Sequence, residues 1–568
     1  MLSQISVMLE NHFRFRLGII LLLFAGLYFL VISKLFYWQL VKAETLKEAQ
    51  VNQSSDQLVL SAIRGDILTS DSFPLATNKI SYLLYANPKV VVDKDKYAKL
   101  LAPILDVEEA SISAALSKNL FWVRLAQRLP SEKKQSVDSL KLDGLGFQVQ
   151  TERYYPEASM AAQLVGFLGK DLNGADHGFF GLEGYYNSQM RGRDGRLYVV
   201  KDALGHPVVN DIREEKKIDG RSIVLGLDRT IQYIADKRLK EGVTSYEAEG
   251  GSIIIMDTKT GMILGNSSVP NFDPQHYYDF EGSSFKNPII SNLYEPGSTF
   301  KVLVMSAALD LKKVTPNTKC TICSSSVPVD GYDIKTWNDK YFPNETMTEV
   351  IQHSDNTGMV FVGRTLGKKN LLEYINKFGI GEDTGVDLQG EVSGTLRDTW
   401  SNVDLATATF GQGISVTPLQ LITAVNAIAD GGNLMKPYLV KQIITEDGKK
   451  IDIKPEVKRR VIKESTAKLM TWIMVNAVEN GEAKWTKLPH YSIAGKTGTA
   501  QIPVAGHYDP HETIASFVGF FPAQDPKITM LVTVHRPKTS IYGAETAAPI
   551  FFKAAKDIIN YLGIPPSY

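Results

Sequence analysis

Ser298 and Lys301 are the residues whose types and spacing carry the strongest chemical signal in this chain. Pro296 and Gly297 stop the preceding element and an apolar run begins at Val302, so we predict that the pair lies on the first turn of a buried helix. Residues three apart on a helix share a face, which lets the hydroxyl meet the amine. A lysine kept neutral by burial and by a second cation can take the serine proton. The pair therefore predicts acyl transfer through a covalent serine ester.

Taken alone, this Ser-x-x-Lys pattern has low specificity, because it arises by chance about once or twice in a chain of this length. Ser131 and Lys134 have the same spacing. They lie among charged residues, so we expect a solvated turn there. The pair at 298 and 301 therefore needs partners.

The triplet Ser354, Asp355 and Asn356 is the first partner. Helical patterns flank it on both sides, so we expect a short connection. If that connection is extended, Ser354 and Asn356 point the same way, and a hydroxyl and an amide can relay a proton and hold a substrate amide. An ordinary helix N-cap is the alternative interpretation, because Ser, Asp and Asn are favoured caps.

Residues Lys496, Thr497, Gly498 and Thr499 are the second partner, on a predicted strand. Alternate positions of a strand share a side, so the two threonine hydroxyls form a row, and Gly498 would let a ligand backbone lie close. Lys496 adds a positive charge that suits an anionic substrate tail. The alternative is a solvent-exposed edge strand on which the lysine only prevents pairing.

Together, Ser-x-x-Lys, Ser-Asp-Asn and Lys-Thr-Gly resemble, in that order, the motif set of penicillin-binding proteins and serine β-lactamases. Further segments resemble landmarks of the class B penicillin-binding proteins along nearly the whole chain. They are residues 63–67, 75–78, 153–156, 163–167, 178–183, 192–195, 227–232, 251–257, 410–414, 417–420 and 515–522. Segment 516–522, with residues 542–544 and 547–551, is more similar to the division and sporulation branch than to the elongation type.

The resemblance implies a peptidoglycan D,D-transpeptidase that cross-links stem peptides during septal cell-wall synthesis. It assigns Lys301 as the base and Ser298 as the nucleophile on the penultimate D-Ala carbonyl. Ser354, close to Lys496, would pass a proton to the departing D-Ala, and Asn356 would hold the donor amide.

The resemblance also assigns substrate binding to Thr497, Gly498 and Thr499, with the two hydroxyls on the terminal carboxylate. Backbone N–H groups of Ser298 and Thr499 would form the oxyanion hole. β-Lactam antibiotics resemble the D-Ala-D-Ala end and are expected to acylate Ser298 with slow release.

Several other functions remain open from the sequence. They are an elongation-type transpeptidase, a hydrolytic D,D-carboxypeptidase or β-lactamase on the same fold, and a non-catalytic activator of a polymerase. Class D β-lactamases share a Ser-Thr-Phe-Lys tetrad, but they are shorter and carry a different second motif. The complete set of motifs argues against a protein that has lost its chemistry.

Residues 17–38 are almost wholly apolar and would span about 33 Å as a helix, enough to cross a bilayer. Tyr37 and Trp38 suit the membrane interface, and Arg14 and Arg16 would stay in the cytoplasm. A cleaved signal peptide fits less well, because the run is long and bulky residues occupy the place of a cleavage site. We therefore predict a single-pass protein of the bacterial cytoplasmic (inner) membrane, with its catalytic part on the extracytoplasmic side.

The expected order is a cytoplasmic tail (1–16), a transmembrane anchor (17–40), a pedestal of the dimerisation type (41–228) and a transpeptidase domain (229–568). The predicted fold class is α+β: an elongated α+β pedestal, then a penicillin-binding domain with an antiparallel sheet flanked by helices and a helical lobe. Within that domain, residues 530–534 are predicted to form a buried strand and residues 547–562 a closing helix. The pedestal lacks the motifs of a class A glycosyltransferase. The resemblance therefore implies a separate SEDS-family glycosyltransferase and other division-complex membrane proteins as partners.

Composition excludes other classes. Basic and acidic residues balance at 62 each, which argues against a nucleic-acid binder. Cys320 and Cys323 are the two cysteines, and an oxidising compartment would let them form a small disulfide loop. Zinc would need two further ligands in suitable spacing. We predict neither a metal nor a cofactor.

Overall fold

A computed structural model describes residues 2–46, 55–201, 207–504 and 507–567. It contains two compact units, residues 1–62 with 193–218, and residues 63–192 with 219–568. The predicted boundary between residues 228 and 229 falls inside the second unit and stays a prediction.

The first unit contains the apolar N-terminal helix. The α-helix Leu2–Phe36 continues into a π-helical turn, Tyr37–Val41. Within the described part of the chain, Arg14–Val41 is the one stretch of helix long and apolar enough to cross a membrane. Its apolar side chains, such as Leu22 and Phe29, are 75% and 71% exposed. This exposure suits a lipid environment. The unit also contains an antiparallel sheet of three strands, Ser55–Leu60, Gly195–Lys201 and Pro207–Glu215.

The second unit contains a seven-stranded mixed sheet that draws on both predicted domains. Six strands follow one another in the order Lys450–Asp452, Val440–Ile444, Ser222–Leu225, Ile67–Leu68, Pro74–Ala86 and Val123–Leu129, and Leu145–Tyr154 also pairs with Pro74–Ala86. Its helices in this part of the chain are Lys94–Leu105, Glu109–Leu116, Ser131–Ser139, Ala162–Val165, Gly181–Tyr185 and Asn187–Met190. The predicted turn at Ser131 is therefore wrong. The segment is a helix that stays at the surface, where Lys134 pairs with Asp138 one turn later.

A buried ion cluster ties three predicted landmarks of this region together. Glu183 is fully buried and accepts hydrogen bonds from Arg64 Nε at 2.6 Å and Arg153 Nε at 2.7 Å. Burial alone would raise the pKa of Glu183, but the two guanidinium groups outweigh it and lower the pKa. The cluster therefore gives these three charged residues a structural role inside the fold.

A five-stranded antiparallel sheet forms the centre of the C-terminal region. Its strands are ordered Ile263–Val269, Gly250–Asp257, Ile528–His535, His507–Phe521 and Ala494–Val504. Alternate residues point to opposite faces, so Ile253 and Val532 pack under helices Arg229–Ser245 and Ala547–Leu562, whereas Ile254 and Leu531 join the core of the helical lobe. The closing helix predicted at 547–562 is confirmed.

Two long helices of the helical lobe, Lys301–Asp310 and Pro418–Ala429, are buried at every residue. Capping residues mark the N-terminal ends of several helices in this lobe. Thr417, for example, forms a capping box with Gln420 at the start of Pro418–Ala429. The other α-helices are Pro288–Ser291, Met347–Gln352, Asn356–Leu366, Lys368–Lys377, Asn402–Ala408 and Glu464–Asn480. Short 3₁₀ turns lie at Pro274–Asp279, Gly282–Phe285, Gly297–Phe300 and Lys484–Thr486. Paired short strands are Phe167–Lys170 with Asp176–Phe179, Val327–Val329 with Tyr332–Ile334, and Asn433–Met435 with Val457–Arg460.

Candidate active site

Ser298 lies in a 3₁₀ turn, Gly297–Phe300, that leads directly into the buried helix beginning at Lys301. The predicted position at the start of a buried helix is confirmed. Gly297 N donates to Gly411 O at 3.0 Å, so the segment around residue 411 supports the turn from behind. Ser298 is partly exposed, whereas Lys301 has no exposed surface. This combination suits a nucleophile that faces a cleft and a base that is shielded from water.

Lys301 Nζ directs its protons at the Ser-Asp-Asn connection. It donates to Ser354 O at 2.5 Å, to Asn356 Oδ1 at 2.8 Å and to Ser354 Oγ at 3.4 Å. In the described part of the chain, no hydrogen bond joins Lys301 Nζ to Ser298 Oγ. Catalytic hydrogen bonds are often long in an unliganded site and shorten when substrate binds. The first two motifs therefore meet through the lysine.

The connection itself differs from the predicted extended segment. Ser354 has a φ of 57°, in the left-handed region that non-glycine residues seldom adopt. This bend, rather than strand-like alternation, brings Ser354 and Asn356 to the same ammonium group. The N-cap interpretation holds for the middle residue, because Asp355 accepts hydrogen bonds from Thr357 N at 2.6 Å and Gly358 N at 3.1 Å. The triplet combines a helix cap with two contacts to Lys301.

Lys496 lies on the edge strand Ala494–Val504 but is only 3% exposed, so the alternative of a solvent-exposed guard residue is wrong. Its Nζ donates to Ser354 Oγ at 2.9 Å and to Thr497 Oγ1 at 3.1 Å. The Ser354 hydroxyl therefore stands between two lysines. All three motifs meet at this hydroxyl.

The two threonines have different partners. Thr497 Oγ1 donates to Glu482 Oε2 at 2.8 Å, and Thr499 Oγ1 accepts from Gly543 N at 3.0 Å. Thr497 is buried and Thr499 is partly exposed. The hydroxyl of Thr499 is therefore the more accessible of the two to a ligand.

Gly498 has a packing role in addition to the predicted approach of a ligand, which stays a prediction. A Cβ atom at this position would lie 2.4 Å from Ser516 Oγ and 2.8 Å from Thr299 Cγ2, both of which are too close. The missing side chain allows the strand to pack against the neighbouring strand and against the turn that carries Ser298. Glycine here fixes the distance between strand and nucleophile.

Lys301 and Lys496 are buried side by side, and this arrangement determines their pKa values. Burial and the charge of Lys496 lower the pKa of Lys301 to about 7, against the opposing attraction of carboxylates such as Asp355 and Glu482. Burial also lowers the pKa of Lys496, and the charge of Glu482 opposes this. A lysine with a pKa near neutrality is able to act as a general base.

Several residues of the site carry no sequence signal that would have identified them. Glu482 follows a helix in an ordinary turn, and Glu345 directly precedes the N-cap of the short helix Met347–Gln352. Burial and the neighbouring Asp355 raise the pKa of Glu345 to about 9, and its Oε2 lies 3.0 Å from His353 Nδ1. Only the tertiary structure brings these acids to the two lysines.

The cysteine pair forms a disulfide between Cys320 and Cys323. Cys323 Sγ lies close to the carboxylates of Glu345 and Asp355. Among the described residues, these three form the one group whose atoms are near enough to one another to hold a metal ion. A disulfide sulfur is not a thiolate, so two carboxylates remain, and the donor set does not fit a zinc site.

Comparisons with known proteins show the family of the chain. The family described as "Penicillin binding protein transpeptidase domain" matches residues 251–556, and the family described as "Penicillin-binding Protein dimerisation domain" matches residues 59–225. Stage V sporulation protein D of Bacillus subtilis is 34% identical, over 96% of this chain and 85% of its own. Peptidoglycan D,D-transpeptidase FtsI of Escherichia coli is 28% identical, over 93% of this chain and 87% of its own.

A solved structure shares the fold. The crystal structure of a peptidoglycan synthetase from Bifidobacterium adolescentis superposes with a TM-score of 0.74 at 26% identity, covering 90% of this chain and 98% of that one. The matched families span both halves of the protein, and the relatives cover nearly all of it. The chain therefore belongs to the class B penicillin-binding proteins, with relatives in the division and sporulation branch of that family.

Proposed function

We propose that the protein is a membrane-anchored peptidoglycan D,D-transpeptidase that cross-links stem peptides during septal cell-wall synthesis. One observation carries the proposal: the Ser354 hydroxyl accepts hydrogen bonds from both buried lysines, at 3.4 Å from Lys301 Nζ and 2.9 Å from Lys496 Nζ. This contact joins all three motifs in one proton network beside Ser298. The name of the Escherichia coli relative supports the same reaction and substrate.

The acylation step uses Lys301 as the base. With a pKa of about 7, its amine is neutral in about half of the molecules at neutral pH. It takes the proton of Ser298 Oγ, which forms a bond to the carbonyl carbon of the penultimate D-Ala. Backbone N–H groups of Ser298 and Thr499 stabilise the oxyanion, and the loss of one such donor typically costs about 3 kcal/mol.

Collapse of the tetrahedral intermediate breaks the amide bond to the terminal D-Ala. Ser354 Oγ passes a proton to that departing amine and regains one from the network of the two lysines. Asn356 holds the amide of the donor peptide. An amine from a neighbouring stem peptide then attacks the ester, gives up a proton, and forms the cross-link as Ser298 regains its hydroxyl hydrogen.

The edge strand binds the donor tail in this mechanism. Lys496, Thr497 and Thr499 provide one cation and two hydroxyls for the terminal carboxylate, and Gly498 keeps them near the nucleophile. β-Lactams present a carboxylate and a strained amide in the same relation, so they acylate Ser298. Deacylation is slow because the ring remnant blocks the approach of the acceptor.

The placement of the reaction follows from the apolar helix. The segment 17–40 anchors the chain in the cytoplasmic membrane, and the catalytic part lies on the outer side. A SEDS-family glycosyltransferase supplies the glycan strand, and contacts with it and with other division-complex membrane proteins run through the anchor and the pedestal.

Labelling of the full-length protein in detergent micelles with a fluorescent penicillin tests the proposal. The variants are wild type, Ser298→Ala and, as a matched control, Ser131→Ala in the other Ser-x-x-Lys pattern. We expect stable labelling of wild type and Ser131→Ala and none of Ser298→Ala.

Other outcomes separate the competing functions. Rapid loss of label from wild type indicates a hydrolase of the β-lactamase type, and release of D-Ala without cross-links indicates a carboxypeptidase. Folded wild type that takes no label indicates a non-catalytic activator. A fluorescent fusion along the side wall rather than at the septum contradicts the septal role.

A further inference from the structure

A chain of hydrogen bonds links Glu482 to Ser354 through Thr497 and Lys496. Thr497 Oγ1 donates its single proton to Glu482 Oε2 at 2.8 Å. The same oxygen therefore serves only as an acceptor for Lys496 Nζ, at 3.1 Å, and Lys496 Nζ in turn donates to Ser354 Oγ at 2.9 Å. Glu482 thus determines which way the Thr497 hydroxyl points, and the Lys496 ammonium group, which can only donate, holds Ser354 Oγ as an acceptor.

Glu482 is placed by the fold to do this. It follows helix Glu464–Asn480 after Gly481, and that helix packs against strand Ala494–Val504, which carries Lys496 and Thr497. Glu482 is only partly exposed, while Thr497 and Lys496 are 6% and 3% exposed. A carboxylate beside buried groups is screened less by water than one at the surface.

The other acids near the two lysines have different partners. Asp355 Oδ1 accepts from the first backbone N–H groups of its helix, and Glu345 Oε2 faces His353 Nδ1. Both belong to the Ser-Asp-Asn side, where Lys301 lies. Glu482 is the acid on the side of the edge strand.

We infer that Glu482 is a positioning residue of the transpeptidase reaction, which orients the Thr497 hydroxyl and keeps Lys496 as an ammonium group directed at Ser354. This rests on the proposed function, because it assigns a role within that mechanism. One consequence concerns the substrate. The Thr497 proton reaches the donor carboxylate only when its hydrogen bond to Glu482 is released, so the unliganded site presents Lys496 and Thr499 first.

The inference predicts a change in the pH dependence of acylation. Loss of the Glu482 charge lowers the pKa of Lys496, so the basic limb, above which Lys496 is deprotonated, moves to lower pH. The same charge supports protonation of Lys301, so the acidic limb moves the same way. Glu482 is the opposing charge on Lys496, whereas on Lys301 it is a smaller influence than Lys496 and Asp355, so we expect the basic limb to move further than the acidic limb. Asp355, Glu345 and His353 remain in every variant.

The experiment measures the second-order rate constant of penicillin acylation between about pH 5.5 and 10 on full-length protein in detergent, with a thermal unfolding midpoint for each variant. Glu482→Gln keeps an acceptor oxygen and removes the charge. Glu482→Asp keeps the charge and shortens the reach. Glu479→Gln removes an acid from the same helix and is the matched control.

We expect Glu482→Gln to move both limbs to lower pH, the basic limb further than the acidic one. Glu482→Asp should retain the limbs with a several-fold lower rate at the optimum, and Glu479→Gln should match wild type. Unmoved limbs in folded Glu482→Gln, or an equal shift in Glu479→Gln, overturn the inference. If Glu482→Gln does not fold, Glu482→Asp decides, and an unchanged optimum rate overturns the role. Wild type that is never acylated refutes the proposed function itself, whereas acylated wild type with unmoved variant limbs refutes only the role of Glu482.

Discussion

The pH dependence of acylation below neutrality tests the assignment of Lys301 as the base. Lys301 is completely buried, and burial together with Lys496 lowers its pKa from 10.5 to about 7. The neutral fraction of the amine should therefore fall from about one half at pH 7 to about one tenth at pH 6. The rate of acylation at pH 6 should be about one fifth of that at pH 7.

The lowered pKa of Lys301 also reduces the free energy of unfolding, and the reduction depends on pH in a defined direction. The folded pKa lies below the unfolded one, so between pH 7 and 10.5 the unfolded chain binds the proton that the folded protein has lost. The penalty is complete below about pH 7, amounts to about 5 kcal/mol, and disappears as the pH rises to 10.5. Replacement of Lys301 by an apolar residue removes this penalty.

Two assays follow. Stopped-flow acylation of wild type by a fluorescent penicillin should give an acidic limb near pH 7. In thermal unfolding, Lys301→Met should be more stable relative to wild type at pH 6 than at pH 9.5. The stability difference between the two proteins should decrease steadily between these pH values. A rate that rises tenfold per pH unit up to pH 10 would mean an ordinary lysine pKa and would refute the reasoning. A stability difference that does not depend on pH would refute it as well.

Three further predictions concern the scaffold of the site. Glu183→Gln leaves two buried guanidinium groups without a counter-charge and should lower the free energy of unfolding by about 3–5 kcal/mol in chemical denaturation, whereas Asp176→Asn, in an exposed pair, should change it by less than about 1 kcal/mol. Gly498→Ala introduces a Cβ 2.4 Å from Ser516 Oγ and should cost about 1–3 kcal/mol and slow acylation, and Ser516→Ala in the same chain should restore part of both losses; no rescue would mean that the clash is not the cause. Thr417→Ala removes a capping box and should lower the unfolding free energy by about 1 kcal/mol without affecting acylation, so a loss of acylation would contradict a purely structural role.

Local patterns predicted much of the fold because they depend on neighbours in sequence. The buried helix after Ser298, the closing helix 547–562 and the strand Ile528–His535 follow from runs of apolar residues and from stop signals. The prediction of a turn at Ser131 was wrong because it also relied on local composition alone. The charged residues of that segment suggested a turn, yet Lys134 and Asp138 are spaced for a surface helix and pair across one turn.

The site was predicted in its members but not in its contacts. The motifs identified Ser298, Lys301, Ser354 and Lys496, but the left-handed bend at Ser354 and the partner of Thr497 depend on tertiary packing. Glu482 has no motif of its own, because its role comes from a helix end that meets a strand. Such residues are invisible to spacing arguments, since nothing in their local sequence requires them.

The most direct measurement for the central claim is the mass of the protein trapped during reaction with a thioester analogue of the stem pentapeptide. The reaction of the full-length protein is quenched rapidly in acid, the protein is digested, and the masses of its peptides are measured by mass spectrometry. We predict that the peptide containing Ser298 gains the mass of the acyl donor without its leaving group, and that Ser298→Ala shows no adduct. An adduct on another residue, or turnover of the donor by Ser298→Ala at the wild-type rate, would contradict a serine acyl-enzyme at this position.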